Sequence, residues 1–186
     1  MGSTEILLAV EKKMESDVEY LREEFRGIRT GRASVGLVDH LKVDYYGSPT
    51  DLRQLASIST PDSTMILIKP FDPGGLKDIE RAIQASELGI TPQTDGKVIR
   101  LTVPPLSGER RQQLSAQLKK MAEAAKVAIR NARRDGNKEA DNEQKASELT
   151  EDQARDTKDD IQSLTKKYES KVEEILKAKN TEIEEA

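Results

Sequence analysis

SGERRQQLSAQLKKMAEAAKVAIRNARRDGNK, residues Ser107–Lys138, carries nine Lys or Arg against three Asp or Glu. At a turn of about 100° per residue, with Lys119 at 0°, Lys126 falls near −20°, Arg130 near +20°, Arg133 near −40° and Arg134 near +60°. Leu114, Leu118, Met121, Ala125, Ala128 and Ala132 lie between about −100° and 180°. The segment reads as one long helix with an apolar side and a separate cationic side. A solvated helix face gives the same arrangement, so the stripe by itself names no partner. It does stand apart from its surroundings: the chain as a whole has a net charge of −4, whereas this segment has a surplus of six positive charges. A polyanion would meet the local surplus and not the net value.

Working outward, Pro104-Pro105 precedes this helix, Ser107 is its expected N-cap, and the helix continues into the 140s. Gly136 is expected to be a soft point within it, at about 0.8–1 kcal/mol relative to Ala. A further helix starts at Thr150-Glu151-Asp152-Gln153, which has the form of a capping box, and carries an apolar seam of Ala154, Ile161, Leu164, Tyr168, Val172, Ile175 and Ile183. From Thr4 to Arg29 the positions Leu7, Val10, Met14, Val18, Leu21, Phe25 and Ile28 step by threes and fours, and Thr30-Gly31 ends that helix. Three helices of this length, roughly 40 to 60 Å each, close into a slender bundle. With aromatics at 3% of the residues, the core must be aliphatic.

Residues 33–103 have another texture, with Gly and Pro punctuation and short β-rich runs. Leu41–Tyr46, Met65–Ile68 and Val98–Val103 are predicted strands, and Gly47-Ser48-Pro49 a turn. Asp72–Leu88, with Leu76, Ile79 and Ile83 on one side, is a predicted helix over the sheet. The expected fold class is α+β in two domains. Residues 1–30 and 105–186 form a long antiparallel three-helix bundle, and residues 31–104 an inserted β/α/β domain. The chain then crosses the boundary twice, at Thr30, Gly31, Arg32, Ala33 and Ser34 and at Val103, Pro104, Pro105 and Leu106. Two adjacent crossings form a hinge that allows rotation and limits translation.

Catalysis finds no support. There is no Cys, and the one histidine, His40, sits in no motif. No phosphate-binding G-x-x-x-x-G-K-[ST] loop occurs, since Asp72-Pro73-Gly74-Gly75 reads only as a turn before a helix. The carboxylate pairs Glu23-Glu24, Asp159-Asp160 and Glu173-Glu174 lie on polar helix faces. No catalytic residue, cofactor or metal site is expected. Neither a secretory signal nor an apolar run long enough for a membrane is present, so a soluble cytoplasmic protein is expected.

Binding remains. Arg29 and Arg32 flank the first crossing, and Arg110 and Arg111 follow the second, while Arg130, Arg133 and Arg134 lie about 20 residues, or roughly 30 Å, farther along the same helix. Guanidinium forks pair with phosphate in two bonds. The scarcity of aromatics argues against reading single strands by stacking and favours folded RNA recognised by shape and backbone. A helical adaptor that binds only proteins is the alternative, and a flat salt response would distinguish it.

Four strings carry a likeness: Ile28-Arg29-Thr30-Gly31-Arg32-Ala33-Ser34; Tyr45-Tyr46-Gly47-Ser48-Pro49-Thr50 followed by Leu52-Arg53-Gln54-Leu55-Ala56-Ser57; Pro104-Pro105-Leu106 with Glu109-Arg110-Arg111; and Val127-Ala128-Ile129-Arg130-Asn131-Ala132-Arg133-Arg134-Asp135. Together, in order and over essentially the whole chain, they resemble the bacterial and organellar ribosome recycling factor family. The resemblance implies an L-shaped, non-enzymatic translation factor that binds the post-termination ribosome through large-subunit rRNA. With elongation factor G and GTP it would split the subunits for recycling. It implies rRNA contacts at Arg29, Arg111, Arg130 and Arg133, to which the cationic face adds Lys126 and Arg134, and it places Arg32 in the hinge motif. The expected partners are thus the ribosome and elongation factor G, with no DNA and no membrane, for a chain acting as a monomer.

Overall fold

The computed structural model describes all residues, Met1–Ala186. In chain order the elements are α1 (Ser3–Arg26), a 3-10 turn (Val35–Leu37), β1 (Lys42–Tyr45), β2 (Ser48–Asp51), α2 (Leu52–Leu55), β3 (Ala56–Asp62) and β4 (Met65–Pro70). After a second 3-10 turn (Pro73–Gly75) come α3 (Leu76–Ala85), β5 (Gln93–Thr94), β6 (Ile99–Thr102), α4 (Gly108–Lys145) and α5 (Glu151–Glu185). No helix is long and apolar enough to cross a membrane.

The chain divides into two compact units, Met1–Phe25 with Gln112–Thr181, and Arg26–Arg111 with Glu182–Ala186. These bounds differ from residues 30 and 105, for a local reason. Arg29 donates to the carbonyl oxygens of Glu87 and Leu88, Thr30 Oγ1 to Glu182 Oε1 at 2.9 Å, and Arg111 Nη2 to the Ala186 oxygen at 2.7 Å. Both expected hinge segments therefore cluster with the second unit. Helix α1 also stops earlier than expected, at Arg26, next to Gly27, where a helix loses propensity.

The first unit is built from three helices. Ile6, Val10, Met14, Val18, Leu21 and Phe25 form the buried stripe of α1, where Ile6 replaces the expected Leu7. Each side chain of this kind gains about 1.5–3 kcal/mol on burial. On α4 the buried residues are Leu118, Ala122, Ala125, Ile129, Ala132, Gly136 and Ala140, with Leu114 at the start. This stripe is centred about 40° nearer the cations than the sequence suggests, because Ala122 and Ile129 are buried while Met121 and Ala128 are only partly so. Its small residues leave room for larger side chains of the other helices, as Gly136 does for Val10 of α1 and Ile161 of α5.

Gly136 shows this most clearly. It lies inside an unbroken helix, and a Cβ built on it would stand 2.5 Å from Val10 Cγ2 and 3.0 Å from Ile161 Cδ1. The expectation that it loosens α4 is therefore corrected: it is where Val10 of α1 and Ile161 of α5 press against α4, and a side chain there would have to push them aside.

Helix direction follows from the side-chain pairs. Thr157 meets Ser3 and Tyr168 meets Glu11, so α1 and α5 run the same way; Ser115 meets Asn180 and Asp141 meets Lys158, so α4 runs opposite to α5. The Thr150 cap forms as read: Gln153 N donates to Thr150 Oγ1 at 3.2 Å, and Thr150 N to Gln153 Oε1 at 2.9 Å. Thr157 and Thr165 are buried on α5 although they are polar. Each hydroxyl donates to the carbonyl four residues earlier, of Gln153 and Ile161, which satisfies it within the helix.

In the second unit, β1 and β2 form an antiparallel hairpin, and the order β3-β4-β6-β5 makes a four-stranded antiparallel sheet. Ile66 and Ile68 of β4 and Ile99 and Leu101 of β6 share one core with Ile79 and Ile83 of α3. The alternation of buried residues along β6 is the period-two pattern of a half-buried strand. Tyr46 and Gly47 at the hairpin tip have φ of 51° and 79°, the left-handed conformation of a tight turn. Gly31 has φ 76°, and a Cβ on it would lie 2.9 Å from Leu106 Cγ. The two connecting segments thus touch at this glycine, which no other residue replaces without strain.

Candidate nucleic-acid interface

The cationic row on α4 faces an acidic row on α5. Lys126 pairs with Glu173, and Arg130 Nε with Glu169 Oε1 at 2.8 Å. Acids four residues apart on α5 thus meet cations four residues apart on α4, as antiparallel register requires. Lower down, Arg133 Nη1 donates to Gln162 Oε1 at 3.3 Å.

The cations differ in availability. Lys126 is only 15% exposed and lies against Glu123 as well as Glu173. The Glu173 hydrogen bond, outweighing burial, raises its pKa above the ordinary lysine value. Arg130 is 42% exposed, and only its Nε is engaged within the protein. Arg133 is partly exposed. Arg134 is exposed and has no hydrogen-bond or ion-pair partner within the protein, as are Lys119, Lys120 and Lys138 of the same helix. Of these four, Lys119, Lys120 and Lys138 extend the outward face around α4 beyond the residues predicted to bind RNA.

In the second unit Arg29 is held by the Glu87 and Leu88 carbonyls just past the end of α3, and Arg111 by Ala186. Arg32 Nη1 stands 3.9 Å from Glu185 Oε2, at the limit of an ion pair. Of the residues predicted to bind RNA, Lys126, Arg130, Arg133 and Arg134 share one helix within the first unit, whereas Arg29 and Arg111 belong to the second. What the cationic pattern alone misses is Glu169 and Glu173. Their four-residue spacing matches that of Lys126 and Arg130, but only the register of α4 against α5 brings these two acids to these two cations.

His40 is exposed and lies 3.9 Å from Asp39. Tyr45 donates to Asp72 Oδ2 at 2.8 Å, and this bond to a carboxylate pushes its pKa up to about 12. Asp72 also accepts from Gly74 N, which together with Tyr45 holds its pKa below the usual aspartate range. These bonds fix the turn that leads into α3.

The family model described as ribosome recycling factor matches residues 21–183, a span that includes every arginine of the candidate interface. The chain belongs to the ribosome recycling factor family. Among relatives, the ribosome-recycling factor of Synechococcus sp. is 50% identical over 177 residues, covering 95% of this chain and 97% of that protein. The Halalkalibacterium halodurans ribosome-recycling factor is 48% identical over 183 residues, covering 98% and 99%. A solution structure of the ribosome recycling factor superposes with a TM-score of 0.80 at 38% identity, covering 99% of this chain and 98% of that one. A second structure contains the T. thermophilus ribosome recycling factor and the E. coli elongation factor G bound to the E. coli post-termination complex. It gives a TM-score of 0.68 at 34% identity, covering 98% and 99%. The long packed helices and the small β domain are therefore those of the family.

Proposed function

We propose that the chain binds the post-termination ribosome through large-subunit ribosomal RNA and, with elongation factor G and GTP, separates the subunits. It does so in the cytoplasm, as a monomer, without catalysing a reaction itself. The match to the ribosome recycling factor family across nearly the whole chain is the observation that supports this most.

On the chain, Arg130, Arg133 and Arg134 are the phosphate contacts we assign first, since each keeps N–H groups not used within the protein. Lys126 we assign to the bundle, because two carboxylates already lie against its ammonium. Arg29 and Arg111 join the set through terminal N–H groups not used in their bonds to backbone oxygens, whereas Arg111 Nε is buried without a partner and is not among them. The segments Thr30–Ser34 and Val103–Leu106 are the proposed hinge, with the contact of Gly31 and Leu106 at its centre.

The test is binding to isolated large subunits over a range of salt, followed by light-scattering assays of subunit splitting. Each phosphate contact contributes about −0.7 to −0.9 to the log–log slope, so three to five contacts give roughly −2 to −4.5. Splitting is expected only when elongation factor G and GTP are both present. A flat salt profile would favour the protein-binding adaptor, and splitting by the chain alone would overturn the requirement for the second factor.

A further inference from the structure

The bond from Arg130 to Glu169 is made at one particular edge of the guanidinium. Glu169 Oε1 takes Nε at 2.8 Å, and no group of the protein takes Nη1 or Nη2. We propose that Glu169 is a positioning residue for phosphate recognition: by holding Nε it turns the Nη1/Nη2 edge of Arg130 outward as a preformed fork. This rests on the RNA contact proposed above and adds to it a residue of opposite charge, which a search for cations would discard.

Three features favour positioning over a plain tie between helices. The pair is half-exposed, 42% for Arg130 and 28% for Glu169, and exposed pairs of this kind add little to stability. The engaged nitrogen is the one whose use leaves the two terminal nitrogens together, and a phosphate takes two parallel N–H bonds from such an edge. The neighbouring rung differs in the way this reading requires. Glu173 and Glu123 both lie against an ammonium that is only 15% exposed and has no directional fork to present. A long side chain already ordered in the free protein loses less freedom on binding.

Electrostatics and positioning predict opposite signs, which makes the idea testable in the full chain with isolated large subunits. Glu169→Gln removes the charge and keeps the accepting oxygen, whereas Glu169→Ala removes both. If charge alone matters, both variants bind more tightly, because an acid beside the phosphates is gone. If Glu169 positions Arg130, Glu169→Gln binds at least as tightly as the parent, and Glu169→Ala binds about three- to tenfold more weakly despite its more favourable charge. Glu169→Leu, which keeps the aliphatic bulk, should repeat the loss, and circular dichroism of each variant controls for folding. In an Arg130→Ala background the loss should vanish. Equal or tighter binding by Glu169→Ala and Glu169→Leu overturns the proposal. Arg130→Ala separates the two levels: if it binds like the parent, the RNA contact itself is wrong, and if it weakens binding while Glu169→Ala does not, only the positioning role falls.

Discussion

Tyr168 Oη donates to Glu11 Oε1 at 3.0 Å, joining α5 to α1 through the largest fully buried side chain of the protein. The same carboxylate oxygen accepts from Lys167 Nζ at 3.2 Å, and Lys171 Nζ sits 4.6 Å above the Tyr168 ring. A buried phenol, its acceptor and two cations thus form one connected group.

Burial, together with the Glu11 bond, pushes the Tyr168 pKa from 10.0 up to about 12. A group whose folded pKa is raised contributes stability that is complete below the unfolded value and is lost as pH rises through the folded one. The protein should therefore lose stability between pH 10 and about 12 in part through Tyr168. Tyr168→Phe should cost about 1–2 kcal/mol at neutral pH, from the lost bond to a carboxylate, and should flatten the alkaline part of the curve. Urea titrations of both proteins across that range check it; parallel curves would show that the phenol is not the titrating group.

Gly136→Ala sets two effects against each other. Alanine gains about 0.8–1 kcal/mol of helix propensity, while overpacking costs about 1–3 kcal/mol. The Cβ would stand 2.5 Å from a methyl of Val10, a branched side chain with few alternative rotamers, so the steric cost wins. A net loss of about 1 kcal/mol is expected, read as a lower thermal midpoint. A more stable variant would mean that α1 moves aside freely.

Thr150→Ala removes one half of a reciprocal pair of bonds at the start of α5. The expected loss is about 1 kcal/mol. Gln153→Ala should cost less once Thr150 is already replaced, because the two bonds fix each other. A double-mutant cycle in denaturant measures this, and strictly additive losses would contradict the capping box.

Arg133→Ala should weaken binding to the large subunit by about 1–3 kcal/mol, as for a lost charge-assisted bond. The salt slope should become shallower by about 1, with helicity by circular dichroism unchanged. Full affinity in the folded variant would remove Arg133 from the interface.

The sequence showed most of the helical frame directly, because Val10, Met14, Val18, Leu21 and Phe25 repeat at helical spacing and are all buried. It misread α4 slightly, since an alanine-rich helix offers several nearly equivalent apolar faces, and only the partners chose the one with Ala122, Ile129 and Gly136. Strand β3 escaped notice: Ser57, Ser59 and Thr60 are exposed on an edge strand that ends near Pro61, leaving Ala56 and the half-buried Ile58 as its apolar signal. The interface was legible as a set of arginines and illegible as a set of pairings. Which cation meets which acid depends on the register of α4 against α5, and no local spacing encodes that.

That register has a consequence for how the chain can change length. Lys126 with Glu173, Arg130 with Glu169 and Asp141 with Lys158 all keep the same offset across the turn at residues 146–150. An insertion within that turn leaves every rung in phase, since it lengthens only the loop. A one-residue deletion between Arg130 and Asp141 swings one end of α4 by about 100° relative to the other. With Asp141 held against Lys158, a deletion just after Gly136 would put Asp135 where Gly136 now sits, and any deletion in the stretch would turn Arg130 away from Glu169, so among natural variants indels should collect in the turn and be missing from α4.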